Sequence, residues 1–317
     1  MITIRYLFDS RLTALLSAAA AALLFAASAP AALAQQDYKT TDAAVDALVA
    51  SVRNYDEKAA LAVLGKDGED IISSGDEVAD QAARKRFVDA YDAKHQITMN
   101  GDAKATLVVG NNDYPFPVPL VNGKAGLWSF DTEAGLREIL YRRIGHNEDD
   151  AIQTCLAYVD AQNDYADKDR GAGAGLYAQR FISAAGKKDG LYWPTAAGEE
   201  ESPLGELFAD ASREGYSAGE GRSPYHGYYY KILTKQGPAA AGGSLDYMVR
   251  GKMIGGFALV AYPAQYRNSG VMTFIVNQDG TVFQKDLGPD TADVAEAMTA
   301  YNPDKSWTKA DTTPEPQ

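Results

Sequence analysis

Apolar residues recur at the spacing of a helix face in three segments near the start of the chain. In residues 41–54, every third or fourth position is apolar, which is the period of one helix face. The stretch DEKAALAVLG has the same pattern and ends at Gly65, a residue type that favours helix ends. A third helix is predicted over residues 73–96, and its inward positions are Val78, Ala82, Phe87 and Tyr91.

The pattern then changes from helical to strand-like. The stretches KATLVVG and FPVPLVNGKAGLWSFD are rich in strand-forming residues, and Asn122-Gly123 is typical of a hairpin turn. Helices followed by a small antiparallel sheet predict an α+β unit. We assign residues 41–145 to this N-terminal domain.

A long amphipathic segment with a central glycine follows the predicted sheet. Residues 131–166 have helical periodicity, and Gly145 predicts a break, after which a new helix begins at Asn147. Beyond the break, an apolar stripe is formed by Ile152, Cys155, Leu156 and Val159. The break also predicts the boundary between two domains.

The second predicted domain covers residues 146–307. Its insertion, residues 167–224, is rich in glycine and charged residues, and so long an irregular connection is either functional or mobile. Strand-like stretches follow from Tyr225 onward and predict an antiparallel sheet on which the long helix packs. The fold class is therefore α+β in both domains. Residues 308–317 are predicted to form a disordered tail.

Composition and charge narrow the range of partners. The 317 residues are 46% hydrophobic, which is ordinary for a globular chain. The formal net charge is -13 and the pI is about 4.7. An acidic surface repels polyanions, so nucleic acids and anionic lipid surfaces are disfavoured as partners.

The first 34 residues have the composition of an export signal. Arg5 and Arg11 precede an alanine- and leucine-rich run that ends in Ala32 and Ala34, the small residues of a cleavage site. We predict cleavage after Ala34 and export through the general secretory route. An uncleaved membrane anchor is the alternative, and no other apolar run approaches the roughly 20 residues that span a bilayer. The mature chain is therefore predicted to have no transmembrane anchor.

Rare residue types gather around the predicted helix break. Arg142 and Arg143 come before it, and His146 and Glu148 follow. These four could bind an anionic group at the break between the helices. The alternative is purely structural, because cations favour a helix C-terminus and acids favour an N-terminus.

The insertion offers a second candidate site, around the stretch KKDGLYWP. Asp189 precedes a predicted turn, and Tyr192 and Trp193 follow it on an apparently irregular loop. Aromatic residues on a loop either fold back over the core as a lid or stack on a ligand such as a glycan. Both alternatives stay open at the level of the sequence.

A tyrosine-rich strand, PYHGYYYKIL, contains the third candidate site. Tyr225 and His226 lie on opposite faces of the predicted strand. His226 could act as a general base, although no nucleophile motif accompanies it. Cys155 is the only cysteine, so no intrachain disulfide is possible, and its apolar neighbours predict a buried thiol.

The sequence predicts no cofactor and no metal site. The three histidines are far apart and lack the spacings of metal ligands. Asp164, Asp167 and Asp169 resemble part of a calcium loop, but the glutamate that would complete the loop is missing. Whether these three acids bind calcium stays open.

Several stretches, in their order along the chain, resemble the domain of unknown function family 2950. Among them are SGDEVADQAARKRFVDAYDAKH, LWSFDTEAGLREILYRRIGHNEDDAI, KKDGLYWP and SGVMTFIVNQDGTVFQKDLGPDT. The family comprises exported proteins of Gram-negative bacteria, so the resemblance implies a periplasmic location. It implies no activity, because the family has none assigned.

The second half also resembles the periplasmic part of type IV pilins and type II secretion pseudopilins. The resemblance rests on a helix ending in AYVDAQNDYA, the tyrosine-rich strand and the hairpin that begins GVMTFIVNQDG, with Asp279-Gly280 in its loop. It implies a pilin-like packing of a helix on an antiparallel sheet. It does not extend to filament assembly, because another domain stands where a pilin has its continuous N-terminal apolar helix.

These observations predict a periplasmic, non-catalytic binding or envelope-assembly module whose partner is an envelope protein or a glycan. The alternative is a periplasmic hydrolase that uses a carboxylate and His226. That alternative requires His226, Asp189 and the Arg142–Glu148 cluster to converge in one cleft.

Overall fold

The computed structural model describes residues 35–73, 77–170, 173–196, 198–205, 207 and 224–313. The predicted signal peptide, residues 1–34, lies outside these ranges. None of the helices within them is both long and apolar enough to cross a membrane.

The chain begins with a helical region. Its helices are α1 (Thr41–Arg53), α2 (Glu57–Leu64), α3 (Glu69–Ile72) and α4 (Glu77–Ala93). The side chain of Thr40 accepts a hydrogen bond from the Ala43 amide at the start of α1, and that of Asp56 accepts one from the Ala59 amide at the start of α2. Gly65 ends α2 with a φ of 81°. The three predicted helices are confirmed, and the single turn of α3 lies between the last two.

An antiparallel sheet follows α4. Its strands are β1 (His95–Met99), β2 (Lys104–Val109), β3 (Tyr114–Pro115), β4 (Leu120–Asn122) and β5 (Trp128–Phe130). The strand order is β1-β2-β4-β5, and β3 pairs with β2. Asn122 pairs with Trp128, so the predicted hairpin forms, with residues 123–127 as its loop. Alternate residues of β2 are buried, which places one sheet face against the helices.

The long helix α5 (Thr132–Asp167) runs without a break through Gly145, so the predicted break is wrong. Its N-cap is Asp131, whose side chain accepts from the Ala134 amide at 3.0 Å. A single glycine costs a helix about 1 kcal/mol, and tertiary contacts on both sides of Gly145 hold the helix straight through it. The predicted domain boundary therefore falls inside one continuous element.

The rest of the chain is built mainly of strands. They are β6 (Tyr228–Leu233), β7 (Lys235–Gln236), β8 (Leu245–Asp246), β9 (Met248–Val249), β10 (Lys252–Met253), β11 (Ala258–Pro263), β12 (Met272–Asn277), β13 (Phe283–Asp286), β14 (Ala300–Tyr301) and β15 (Thr308–Lys309). The short helix α6 (Thr291–Ala297) lies between β13 and β14.

The main C-terminal sheet has the order β15-β13-β12-β11-β6, and all its pairs are antiparallel. The helix α5 packs against β11 and β12, while α6 and β14 also contact β11. Every residue of β11 is buried, as expected for a central strand that is covered on both faces. The predicted fold class, a long helix with an antiparallel sheet in an α+β chain, is confirmed.

The C-terminal segment is ordered where the sequence predicts disorder. Within residues 308–313, β15 pairs with β13, and the Ala310 amide donates to the Val282 carbonyl at 3.0 Å. The prediction of a disordered tail is therefore wrong for these residues, because the edge of β13 provides backbone partners. Residues 314–317 lie outside the described residues.

Buried side chains form two separate clusters. One lies between α1, α2, α4 and the N-terminal sheet, and the other lies between α5 and the C-terminal sheet. The first turns of α5 contact the N-terminal cluster: the Thr132 hydroxyl donates to the Leu64 carbonyl at 2.5 Å. Cys155, farther along α5, is part of the C-terminal cluster. One helix thus serves both cores.

Candidate functional site

The two predicted arginines hold α5 against its neighbours. Arg142 donates from Nε to Glu138 Oε1 and from Nη1 to the Pro115 carbonyl, both at 2.8 Å. Arg143 donates from Nη2 to Oδ1 of Asn268. Arg142 therefore connects α5 to the N-terminal sheet, and Arg143 connects it to the loop between β11 and β12.

Glu148 and Asn147 bind the backbone at the start of β12. Glu148 Oε1 accepts hydrogen bonds from the amides of Val271 and Met272 at 2.8 and 3.0 Å. Asn147 Nδ2 donates to the Ser269 carbonyl at 2.9 Å. The prediction that Asn147 caps a new helix is wrong, because it lies inside α5. Glu148, a predicted ligand-binding residue, is used to dock the helix on the sheet.

Two histidines lie beside one carboxylate where α5 meets the C-terminal sheet. His146 Nε2 lies 3.6 Å from Asp150 Oδ2, and His226 Nδ1 lies 3.0 Å from the same oxygen. The side chain of His146 is 71% exposed, whereas those of His226 and Asp150 are 19% and 22% exposed. Within the described part of the chain, no hydrogen bond reaches this oxygen. The structure thus joins two predicted site residues through an acid that was not predicted.

His226 reaches Asp150 because the chain turns sharply before β6. His226 has a φ of 45° and Gly227 a φ of 71°. The amides and carbonyls of Tyr225 and Tyr228 exchange hydrogen bonds across this turn. The prediction that His226 lies on the strand is therefore wrong, since β6 begins at Tyr228. The ring of Tyr225 lies 4.1 Å from that of His226.

Asp189 is distant from this cluster. Its Oδ1 accepts from the Ala184 amide at 2.8 Å, so it stabilises its own turn. The adjacent Lys188 carbonyl accepts from the Tyr165 hydroxyl at 2.8 Å. Tyr165 follows Asp150 by fifteen residues on α5, or about 22 Å at 1.5 Å per residue. The single cleft that the hydrolase alternative requires is therefore not formed.

The aromatic loop lies against the C-terminal core. Trp193 is only 4% exposed and Leu191 is fully buried. Tyr192 is half-buried, and its amide donates to the Phe181 carbonyl at 2.8 Å. The sequence left open whether this loop packs over the core as a lid or stacks on a ligand. Trp193 packs over the core, so its ring is not available for stacking on a glycan.

Charged side chains surround the buried indole. The guanidinium carbon of Arg170 lies 5.5 Å from the Trp193 ring centre and 4.9 Å from that of Tyr165. Lys188 Nζ lies 5.2 Å from the Trp193 ring centre. The side chain of Arg170 is 4% exposed and lies 3.4 Å from Glu200. These contacts fasten the insertion to the end of α5.

Two of the three acids that resemble part of a calcium loop have other partners. Asp164 lies 3.6 Å from Lys168 Nζ and 3.5 Å from Arg170 Nη2. Asp169 Oδ1 accepts from the Gly173 amide at 2.8 Å. Among the residues described, no group of three or more histidine, cysteine or acidic side chains is arranged to hold a metal ion.

Cys155 is buried, as predicted. It is fully inaccessible, and burial raises the pKa of its thiol. A thiol of this kind remains protonated at neutral pH, whereas a nucleophile must be a thiolate. The structure therefore gives no support to Cys155 as a partner of His226 in catalysis.

The N-terminal core contains an open apolar pocket of about 200 Å³. It lies between the helices and Phe116. Its apolar lining includes Leu48, Val52, Leu64, Ile72, Phe87 and Phe116. This volume exceeds the roughly 150 Å³ of a protein cavity that binds benzene. The pocket can therefore hold one aromatic ring with a short substituent, or a short alkyl chain.

The composition of α4 explains why space is left. Its pocket-facing positions are Asp80, Ala83, Arg84 and Phe87, which have the spacing of one helix face. The predicted inward residue Ala82 is instead exposed. Because Ala83 is small and two of these residues are charged, the stripe does not fill the space that a fully apolar stripe would fill. This stripe is the signal by which the pocket could have been found in the sequence.

Arg84 is the one basic residue in the described lining of this pocket. Its guanidinium carbon lies 5.2 Å from the ring centre of Tyr55. Tyr55 has a left-handed φ of 55° and is 61% exposed, and its ring lies over the guanidinium. Arg84 Nε is buried, and no described residue gives it a hydrogen-bond partner.

Comparison with known families identifies the chain. The model of the family "Protein of unknown function (DUF2950)" matches residues 35–310. The chain belongs to this family. The match covers both cores and every candidate site residue, and it begins at the residue that follows the predicted cleavage site.

No curated protein and no solved structure matches the chain. The pilin-like character of the C-terminal half therefore stays a prediction. Helices with antiparallel sheets are observed, and the likeness to pilins rests on the sequence stretches alone.

Proposed function

We propose that this chain works in the periplasm and has no catalytic role. It binds a small apolar ligand in the N-terminal pocket. The observation that carries the proposal is the pocket itself: an open space of about 200 Å³ with an apolar lining. Natural ligand sites are concave and mostly apolar, with few polar groups. A periplasmic location is supported by the export-type composition of residues 1–34.

The roles of the other candidate residues favour binding over catalysis. Glu148 is engaged by two backbone amides, Trp193 is packed in the core, and Asp189 belongs to a distant turn. The pocket, in contrast, is an open apolar space in the described part of the N-terminal core.

A pocket-filling substitution tests the proposal. Ala83→Trp adds an indole at a position that lines the pocket, whereas Ala82→Trp adds the same group at the neighbouring position, which is absent from the described lining. The protein is expressed with its own N-terminus, recovered from the periplasm and titrated with octanol and toluene by isothermal calorimetry.

We expect the wild-type protein and Ala82→Trp to bind at least one of these neutral probes, and Ala83→Trp to lose binding about tenfold or more, which is roughly 1.4 kcal/mol. Absence of binding to the wild-type protein contradicts the proposal, as does equal binding by both variants. Recovery of the protein only from the cytoplasm contradicts the proposed location.

A further inference from the structure

The charged side chains at the pocket are unequally divided between the two signs. The described lining contains three acids and one base, which are Asp56, Glu57, Asp80 and Arg84. Three acids against one base give this lining a formal net charge of -2. Asp80 and Arg84 are half-buried, whereas Asp56 and Glu57 are exposed. A charged ligand that enters the pocket therefore meets a surplus of negative charge.

The hydrogen bonds of two of these acids leave their charges in place. Asp56 Oδ1 accepts from the Ala59 amide at 2.9 Å, and Asp80 Oδ2 accepts from the Ser73 hydroxyl at 3.3 Å. Both donors are neutral, so these two bonds orient the carboxylates without neutralising them.

The single base makes a contact of its own. The guanidinium carbon of Arg84 lies 5.2 Å from the ring centre of Tyr55. Its Nε atom is buried, so a ligand in the open pocket does not touch that atom. Arg84 therefore lowers the surplus of negative charge by one unit and offers no hydrogen bond from Nε to a ligand.

Polar and apolar residues lie at different places along the pocket. On α2, Glu57 precedes Leu64 by seven residues, and on α4, Asp80 precedes Phe87 by seven. Seven helical residues span about 10 Å. The ring of Phe87 also packs against that of Phe116, with 5.3 Å between their centres. The pocket thus has an apolar part and, about two helical turns away along each helix, an acidic part.

Resting on the proposed function, we propose that the pocket takes a small organic amine, with an apolar body of one ring or a short alkyl chain and a protonated amino group. The body packs against Phe87 and Phe116, and the amino group lies near Asp56, Glu57 and Asp80. An ammonium group suits this place, because it is a compact charge with three rotatable donors and needs no fixed geometry of its acceptors.

The charge of the whole chain must be separated from that of the pocket. A formal net charge of -13 attracts any cation to the surface. A preference that belongs to the pocket depends on the acids of its lining, whereas a general attraction responds equally to the loss of acids elsewhere. The test therefore compares variants that remove the same number of charges from the two places.

Matched ligands and matched variants test the inference. Octylamine, octanol and octanoate share one chain length and differ in the head group. They are titrated by calorimetry into the wild-type protein, Asp56→Asn/Asp80→Asn, Asp89→Asn/Asp102→Asn and Arg84→Gln. Asp89 and Asp102 are exposed and absent from the described lining. Asparagine caps a helix as well as aspartate does, so α2 keeps its start. Circular dichroism and the melting temperature check that each variant is folded.

We expect octylamine to bind the wild-type protein and Asp89→Asn/Asp102→Asn about tenfold more tightly than octanol, since one exposed ion pair contributes up to about fivefold. Asp56→Asn/Asp80→Asn should lose most of this advantage and keep its affinity for octanol. Arg84→Gln, which removes the opposing charge, should bind octylamine about threefold more tightly than the wild-type protein does.

Salt provides a readout that needs no variant. The screening length falls from about 10 Å at 0.1 M salt to about 3 Å at 1 M. The advantage of octylamine over octanol in the wild-type protein should therefore shrink severalfold between these two concentrations. If Asp56→Asn/Asp80→Asn fails to fold, this salt series and Arg84→Gln decide the question.

The outcomes separate the two proposals. If octanol binds and octylamine binds no more tightly, or if octanoate binds more tightly than octylamine, the amine inference is overturned while the binding function stands. Equal loss of the advantage in both double variants also overturns it, because the preference then belongs to the whole surface. If none of the three ligands binds the wild-type protein, both proposals fail.

Discussion

At the scale of the residue, single side chains decide which parts of the surface are available to a ligand. Trp193 and Tyr192 are neighbours in a loop that the sequence leaves open to either packing or binding. The structure buries Trp193 to 4% exposure, with Arg170 and Lys188 beside its ring. Such a ring stabilises the fold, because its burial and its cation–π contacts exist only in the folded state.

Removal of this ring should therefore destabilise the protein. Trp193→Ala is expected to lower the free energy of unfolding by roughly 3–5 kcal/mol, as large-to-small changes of buried aromatic residues do. Urea unfolding followed by circular dichroism measures the loss. Tyr141→Ala is the control, since Tyr141 is 62% exposed and exposed changes stay within about 0.5 kcal/mol. Equal, small effects of both substitutions would mean that the loop is open in solution.

At the scale of the element, α5 is the decisive feature of the molecule. It carries most of the residues that the sequence marks as unusual, and it runs straight through the glycine at which a break is predicted. Local signals for a helix end were present at Gly145 and Asn147. They were overruled because Arg143, Asn147 and Glu148 all bind the segment before and at the start of β12.

Alanine substitutions at two glycines of α5 test whether the helix is continuous. A Cβ atom at Gly145 would meet nothing within 4 Å, whereas one at Gly135 would come within 2.7 Å of Val118 Cγ2. Gly145→Ala should therefore stabilise the protein by about 0.5–1 kcal/mol, the gain in helix propensity.

Gly135→Ala is the matched substitution in the same helix. It should destabilise the protein by about 1–3 kcal/mol, because the added methyl group overpacks the contact with Val118. Thermal and urea unfolding of both variants shows whether each substitution raises or lowers the free energy of unfolding. A destabilising Gly145→Ala would favour a helix end with a left-handed glycine and would contradict the continuous helix.

At the scale of the whole molecule, the C-terminal core buries several groups that ionise at high pH. Burial raises the pKa values of Cys155, Tyr158 and Tyr228, and it raises the pKa of Tyr247 to about 12. In the unfolded chain these groups ionise near their usual values of 9.0 for cysteine and 10.0 for tyrosine. At a pH between the unfolded and the folded pKa of each group, the folded state therefore binds more protons than the unfolded state.

This difference predicts a loss of stability in alkaline solution. The contribution of each group is complete below its unfolded pKa and declines as the pH rises above it, by up to about 1.4 kcal/mol per pH unit and group. The urea midpoint should therefore fall steadily above about pH 9. Tyr158→Phe should make this decline less steep, and Tyr141→Phe, an exposed change, should leave it as in the wild-type protein. An unchanged midpoint up to about pH 11 would contradict the burial of these groups.

What the sequence alone determined is local. The apolar periodicity predicted α1, α2, α4 and the helical character of α5, because a helix face and its caps are encoded within a few consecutive residues. The same reasoning predicted the β4–β5 and β12–β13 hairpins and the burial of Cys155. The ordered stretches that resemble one family also sufficed to identify it, although the family has no assigned function.

Tertiary structure alone decided which residues are available and which meet. His226 meets Asp150, Glu148 binds the backbone of β12, and the tail pairs with β13 through contacts between residues far apart in the chain. The pocket arises in the same way, because Ala83 and Arg84 leave space only when α1, α2 and Phe116 close around them. Packing between distant elements leaves no periodic signal in the sequence, and so its consequences for function appear only in the folded chain.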